Sequence, residues 1–127
     1  MKLHITSTLV LTLIPLLVFL TFRVISYRRK NKISLSTTKD SQILTRVRAH
    51  GNFLEYTPIF ISICLLCELQ NANTSINGLI AALFVFGRYF HAIGIIYKSF
   101  VLRPIGMVLT ILPLIAGSIL LASTVIS

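Results

Sequence analysis

Four long apolar stretches take up almost the whole of this 127-residue chain, at about residues 3–26, 42–69, 75–97 and 104–126. A helix that crosses the hydrocarbon core of a bilayer needs about 20 predominantly apolar residues, and each stretch is long enough. With 55% hydrophobic residues, the chain is also too apolar to bury its side chains in a soluble domain of this length. The sequence therefore predicts an all-α integral membrane protein, a single domain over residues 1–127 that forms a four-helix bundle in the lipid bilayer.

The first apolar stretch is expected to remain in the protein as a helix. Only Lys2 precedes it, whereas Arg23, Arg28 and Arg29 follow it. A secretory signal carries its positive charge ahead of a shorter apolar core and ends at a cleavage site of small residues. The order of charge here is the reverse, which favours a membrane-spanning helix.

The basic residues are concentrated in two of the three interhelical segments. Twelve Lys and Arg against three Asp and Glu give a net charge of +9. Most of the cations lie in the polar linker 27–41 and around Lys98 and Arg103, whereas the segment 70–77 has none. By the positive-inside rule the first and third loops face the cytoplasm, and both termini lie on the non-cytoplasmic side. Attraction to anionic lipid explains the charge, and no nucleic-acid partner is predicted.

Two short patterns are interpreted as packing positions. Cys64 and Cys67 have the CxxC spacing of redox and metal sites, but they lie in an apolar run. Reactive thiolates need electropositive and accessible surroundings, so these thiols are expected to be inert. Gly87 and Gly94 lie about two turns apart on the third helix, where small residues permit close helix approach.

Polar residues form a stripe on the second helix. At about 100° per residue, Arg48, Asn52 and Glu55 fall within an arc of roughly 60°. Arg46 and His50 point to a different side, toward a neighbouring helix or the headgroups. Ionisable residues inside a membrane span are costly and are therefore candidates for a functional site. A polar seam that only joins helices is the alternative.

The third helix carries Arg88 and His91 one turn apart. Arg88 is predicted to lie roughly 14 Å from the cytoplasmic end of its helix, where it needs a counter-charge. Glu55 or an anionic ligand would supply that charge. The polar stripe and these residues together predict a cleft for a small anionic molecule, with apolar walls that admit a lipophilic substrate from the bilayer.

Three segments resemble the family of membrane-associated proteins in eicosanoid and glutathione metabolism. The run RAHGNFLEY at 48–56, followed by Pro58, resembles the family motif Arg-Ala-x-x-Asn-x-x-Glu. The run GRYFHA at 87–92 resembles its second signature, and RPIGM at 103–107 looks like its start of helix four. The resemblance extends over all four helices and is closest to small bacterial members, which implies a multi-pass protein of a bacterial inner membrane.

The resemblance also implies an assembly and a site. The family builds homotrimers that bind glutathione, their co-substrate, between neighbouring subunits. By resemblance, glutathione would be held by residues of helix two and, across the subunit boundary, by residues of helix three, namely Arg48, Asn52, Glu55 and Tyr56, with Arg88, Tyr89 and His91. Arg103 would be the catalytic residue that stabilises the glutathione thiolate, although an anchoring role for helix four is an equal interpretation.

Three functions remain open at this point. The first is a glutathione transferase acting on a lipophilic electrophile, with glutathione-dependent peroxidase activity as a variant. The second is a non-catalytic relative that binds a lipid or a partner protein, since Ile93 and Ile95 stand where several family members have a tyrosine or another polar contact. The third is a small multidrug exporter, which would need a buried carboxylate in helix one, where the sequence has none.

Overall fold

The computed structural model describes residues 3–35 and 40–126, and this part of the chain forms four α-helices without any strand. The helices are α1 (His4–Asn31), α2 (Ser41–Leu69), α3 (Thr74–Ile96) and α4 (Leu102–Ile126). Each of them is long and apolar enough to cross a membrane. The predicted all-α architecture with four spanning helices is confirmed. Lys2 and residues 36–39 of the predicted linker lie outside the described residues.

The first helix is longer than predicted, because it continues to Asn31 and not to a residue near 26. Its last turn contains Arg28, Arg29 and Lys30, and cations stabilise the negative end of a helix dipole. Lys32 then ends the helix in the left-handed conformation, with φ 53°, as is common at helix C-termini. The apolar stretch indicated the membrane-spanning part, but the helix itself extends into the polar segment.

The start of α2 is tied to the end of α1 through Asp40. Its Oδ1 accepts hydrogen bonds from the backbone N–H groups of Gln42 and Ile43, at 2.8 and 3.3 Å. Its Oδ2 accepts a hydrogen bond from the Tyr27 hydroxyl at 2.8 Å. A side-chain acceptor at this position satisfies backbone donors that the first turn leaves free. The same carboxylate therefore starts α2 and joins it to α1.

The core lies between α1, α2 and α3. Buried leucines follow one face of α1 at a spacing of three or four residues, from Leu9 to Leu20, and they pack on the neighbouring helices. Phe60 of α2 and Phe84 of α3 stack with their ring centroids 3.8 Å apart. Cys64 and Cys67 are completely buried and unpaired, as packing residues would be.

The fourth helix packs on α3 with direct backbone contact at glycine positions. A Cβ atom built on Gly87 would lie 2.5 Å from the Leu109 carbonyl oxygen, and one on Gly94 would lie 2.4 Å from the Arg103 amide nitrogen. A Cβ atom on Gly106 of α4 would lie 2.2 Å from the backbone nitrogen of His91. These distances leave no room for a side chain, so the close approach predicted for the α3 glycines is present. It brings the start of α4 against the polar part of α3.

Candidate functional site

A cavity of about 980 Å³ opens between α2, α3 and α4. Its polar lining comes from all three helices and consists of Arg48, Asn52, Glu55, His91 and Arg103. Most of its apolar lining belongs to one side of α4, with Met107, Val108, Ile111 and Leu112. The cavity therefore combines a polar side, with two arginines and one carboxylate, and an apolar wall.

The polar side is built by the periodicity of α2. Arg48, Asn52 and Glu55 lie on one face of the helix and all border the cavity, as their spacing predicted. The opposite side of α2 carries Arg46 and His50, and both contact α1. Arg46 Nη1 donates to the Arg23 carbonyl at 3.3 Å. His50 Nε2 lies 3.1 Å from the Thr21 hydroxyl. Thus α2 borders the cavity with one face and contacts α1 with the other.

Arg88 of α3 lies behind the cavity and is completely buried. Its Nη2 donates to Asn52 Oδ1 at 2.8 Å, and its Nη1 donates to Thr110 Oγ1 at 3.2 Å. The Thr110 hydroxyl donates its own proton to the Gly106 carbonyl at 2.8 Å, which leaves an oxygen lone pair for the guanidinium. The arginine therefore joins α2, α3 and α4 at one point.

The structure does not pair Arg88 with Glu55, the counter-charge expected from the sequence. In the part of the chain that the structure describes, the guanidinium contacts neutral groups, and the rings of Phe53 and Tyr56 each lie 5.8 Å from its Cζ. Glu55 is instead exposed and borders the cavity. The physical reason is that Asn52 reaches the guanidinium without burying a second charge, which would carry a large desolvation cost. Glu55 therefore has no ion-pair partner among the described residues.

His91 contacts the backbone of Arg103, with its Nδ1 3.0 Å from the Arg103 carbonyl oxygen. A carbonyl oxygen only accepts hydrogen bonds, so Nδ1 carries the proton, and Nε2 is an acceptor in the neutral ring. The small part of His91 that is not buried borders the cavity. The contact with Gly106 allows this arrangement, because a side chain there would push the two backbones apart.

A smaller cavity of about 350 Å³ lies beside the first one and shares Arg48 and Arg103 with it. Lys98 and Phe100, from the turn between α3 and α4, line its other side. Three cationic side chains thus surround the approach to the polar side. Such a concentration of positive charge attracts anionic molecules and raises their rate of association.

The remaining residues named from the sequence lie in other places. Tyr56 does not line the cavity but packs against Arg88. The Tyr89 hydroxyl donates to the Thr12 carbonyl of α1 at 2.8 Å, away from the cavity. The resemblance implied that Arg88, Tyr89 and His91 act across a subunit boundary. Within a single chain, however, Arg88 already bonds to Asn52 and His91 already borders the cavity.

Thr110 was not identified from the sequence, although it holds Arg88. The available signal was a hydroxyl one turn after Gly106 in an otherwise apolar helix. Whether it faced an arginine depended on the rotation of α4, which the sequence does not reveal. Among the described residues no group of three His, Cys, Asp or Glu is placed to hold a metal ion.

Comparison with known proteins identifies the family of this chain. The model of the MAPEG family, the membrane-associated proteins in eicosanoid and glutathione metabolism, matches residues 6–123. The inner membrane protein YecN of Escherichia coli (strain K12) is 29% identical over 92 residues, which cover 72% of this chain and 70% of that protein. The protein of the same name from Escherichia coli O6:H1 (strain CFT073) matches equally well. With its four spanning helices, the chain is a multi-pass inner membrane protein that belongs to the MAPEG family.

Proposed function

We propose that this protein is a membrane-bound glutathione transferase, which joins the thiol of glutathione to a lipophilic electrophile. The observation that carries the proposal is the cavity in which Arg48, Arg103 and Glu55 face an apolar wall of α4. Its volume lies within the range of about 300–1,000 Å³ that is usual for small-molecule sites. Membership of a family that includes glutathione transferases supports the same function.

The charges of the cavity match those of glutathione, which has two carboxylates, one ammonium group and one thiol. Arg48 provides a guanidinium group that can hold a carboxylate through two parallel hydrogen bonds, and Arg103 provides a second positive charge in the same cavity. Glu55, which has no ion-pair partner among the described residues, can hold the ammonium group. Asn52 is committed through its Oδ1 to Arg88, which leaves its NH₂ group as a donor toward the ligand. We infer that the tripeptide binds along the polar side with its thiol toward α4.

The reaction requires the thiolate, because a free cysteine thiol with a pKa near 8.5 is mostly protonated at neutral pH. Arg103 borders both cavities and is the residue we assign to stabilising the negative sulfur. The thiol proton passes to water or to Nε2 of His91, which is an acceptor in the assigned tautomer. The sulfur then forms a bond to the electrophilic carbon, and the leaving group departs with the electron pair of the bond that breaks.

The second substrate would enter from the bilayer. Val108, Ile111 and Leu112 are exposed on α4 and also line the cavity, so an apolar molecule can reach the polar side without crossing water. The proposal includes the homotrimer that the family resemblance implies, in which a neighbouring subunit would close the open side of the cavity. Apolar walls discriminate weakly between similar lipids, so a range of electrophiles is expected.

The test is a titration of the detergent-purified protein with glutathione, followed by the ultraviolet absorbance of the thiolate. We expect a saturable signal in the wild type and a loss of affinity of about tenfold or more in Arg48→Ala, because a charged hydrogen-bonded pair is removed. Arg103→Ala should reduce the thiolate amplitude more than the affinity. Arg29→Ala, which removes an exposed cation from the end of α1, is the matched control and should behave as the wild type.

Two results would contradict the proposal. Absence of saturable glutathione binding by the folded wild-type protein would remove the basis for the site. Binding of glutathione without turnover, across a panel of electrophiles that differ in size and leaving group, would show that the cavity is not a transferase site.

A further inference from the structure

Arg46 of α2 contacts the backbone of Arg23 in α1, near the loop that joins the two helices. Arg46 Nη1 donates to the Arg23 carbonyl at 3.3 Å. The Cζ of Arg46 lies 4.6 Å from the ring centroid of Tyr27, and the Cζ of Arg23 lies 5.7 Å from that of Phe19. We call Arg23 and Arg46 the arginine pair. The arginine pair faces away from the cavity between α2, α3 and α4, because Arg46 and Arg48 lie on different sides of α2.

Neither Arg23 nor Arg46 forms an ion pair within the described part of the chain. Arg23 makes no side-chain hydrogen bond there, and its Nη1 is buried without a partner. Asp40 is the acidic residue that interacts with Arg46, but its two oxygens accept hydrogen bonds from Tyr27 and from the start of α2. Two like charges on neighbouring helices repel each other, and a bound anion relieves that repulsion. An anion bound from outside the chain would supply this negative charge.

The depth of the pair in the membrane indicates the source of that charge. Between His4 and Arg23 the chain has no charged residue, and this length of helix measures roughly 30 Å, the thickness of the hydrocarbon core. At the opposite end, the two oxygens of Glu68 accept hydrogen bonds from the backbone N–H groups of Ile5 and Thr6. Along α2, Arg46 lies about 33 Å from Glu68. When α1 and α2 span the bilayer, this spacing puts Arg23 and Arg46 at the boundary between the hydrocarbon core and the headgroups.

The surface below the pair is apolar and is exposed in the single chain. Phe19 and Phe22 are exposed on α1, directly before Arg23 in the direction of the bilayer centre. A lipid whose phosphate contacts the guanidinium groups would place its acyl chains along these rings. The exposed Arg29 and Lys30 follow farther along α1, about 9–11 Å beyond Arg23 at 1.5 Å per residue.

We propose that Arg23 and Arg46 bind the phosphate group of an anionic phospholipid from the leaflet on the side of the α1–α2 loop. Guanidinium groups suit this ligand, because their planar donors match the spacing of phosphate oxygens. Bound phosphate would neutralise the repulsion within the pair, and the acyl chains would pack on Phe19 and Phe22. An anionic headgroup is preferred to a zwitterionic one, since a choline ammonium would add a third positive charge.

The test is native mass spectrometry of the detergent-purified protein with equal amounts of phosphatidylglycerol and phosphatidylcholine that have the same acyl chains. We expect the wild type to retain phosphatidylglycerol more strongly by about tenfold or more, because each cation near an anionic headgroup contributes a factor of about five in affinity. The Arg23→Gln/Arg46→Gln variant should retain both lipids equally. The control Arg29→Gln/Lys30→Gln loses the same charge from exposed positions and should keep the preference for phosphatidylglycerol.

The outcomes that would overturn the proposal are distinct. Equal retention of the two lipids by the wild type would exclude a headgroup-specific site, even if the glutamine variant does not fold. Equal loss of preference in both double variants would show that net charge, and not the arginine pair, is responsible. Displacement of phosphatidylglycerol by excess inorganic phosphate would assign the pair to free phosphate. The Arg23→Lys/Arg46→Lys variant, which keeps both charges, is expected to keep the preference.

Discussion

Arg88 is held by an amide, a hydroxyl and two aromatic rings and not by a carboxylate. It has no exposed surface, and its Nε is buried without a hydrogen-bond partner. A buried cation with incomplete hydrogen bonding is costly, so each partner that remains has a large effect. Asn52 and Thr110 therefore hold Arg88 in position without an ion pair.

Replacing Thr110 by valine should destabilise the protein by about 1–2 kcal/mol, because it removes one hydrogen bond from a buried charged group. Valine has nearly the same shape, so the packing of α3 on α4 is retained. The measurement is the free energy of unfolding in a titration with denaturing detergent. Thr12→Val is the matched control, since the exposed Thr12 hydroxyl bonds only within its own helix. An equal effect of the two substitutions would contradict this role of Thr110.

Asp40 lies outside the helices, and its pKa is held below the ordinary value near 3.8. The main cause is the hydrogen bond from Tyr27, and the backbone N–H groups of Gln42 and Ile43 add to it. A carboxyl group with a lowered pKa contributes stability above its unfolded-state pKa and loses that contribution as the pH falls through its folded-state pKa. The backbone amides at the start of α2 should therefore lose protection from hydrogen exchange only in strong acid.

The Tyr27→Phe variant should raise the pKa of Asp40 toward its ordinary value, because the largest cause of the shift is removed. Loss of protection at the start of α2 would then begin at a higher pH than in the wild type. The measurement is the amide exchange of Ile43 followed from neutral to acidic pH. Tyr97→Phe, at an exposed tyrosine with no hydrogen bond to Asp40, should leave the profile unchanged. Coincident profiles for all three proteins would refute the prediction.

At the scale of helices, the contact between α3 and α4 decides the geometry of the site. Gly94 allows the backbone of Arg103 to approach, and Gly106 allows the backbone of His91 to approach. Small residues at such positions let transmembrane helices pack through backbone atoms. The distance between His91 and Arg103 thus depends on two glycines, neither of which lines the larger cavity.

Gly106→Ala is expected to destabilise the protein by about 1–3 kcal/mol, because the new Cβ overlaps the backbone of α3. It should also weaken the glutathione thiolate signal, since Arg103 moves away from the polar side of the cavity. Gly78→Ala on α3 is the matched control, because the nearest atom to its Cβ is a side-chain carbon at 4.0 Å. Gly51→Ala meets nothing within 4 Å, and it tests whether a methyl group in the cavity has an effect of its own. Unchanged stability of Gly106→Ala would disprove the close contact.

At the scale of the whole molecule, the distribution of charge predicts the orientation. The segment at 70–77 has no Lys or Arg, whereas the α1–α2 loop is rich in them, so the loop is expected on the cytoplasmic side. In intact spheroplasts, a membrane-impermeant maleimide should label Asn71→Cys and should label Ser34→Cys only after permeabilisation. The wild type is the control, because both of its thiols are buried. The opposite labelling pattern would reverse the orientation and place both termini in the cytoplasm.

Much of the fold could be predicted from local patterns. The beginnings of α2, α3 and α4 lie within one or two residues of their expected positions, because polar residues interrupt the apolar stretches there. The end of α1 could not be predicted in this way. The apolar pattern indicates the part of the helix that lies in the membrane, and α1 continues past that part into the polar segment. The two faces of α2 followed from periodicity alone, and Arg46 and His50 contact α1 as expected from their side of the helix.

The sequence by itself determined which segments span the membrane and which residues share one face of a helix, because both depend on neighbours within the same segment. Only the tertiary structure decided that Asn52 and Thr110, not Glu55, hold Arg88, that Tyr89 turns to α1, and that His91 meets Arg103. These contacts join residues that are distant along the chain. They depend on the rotation and offset of each helix against the next, which the glycine contacts between α3 and α4 set through steric exclusion.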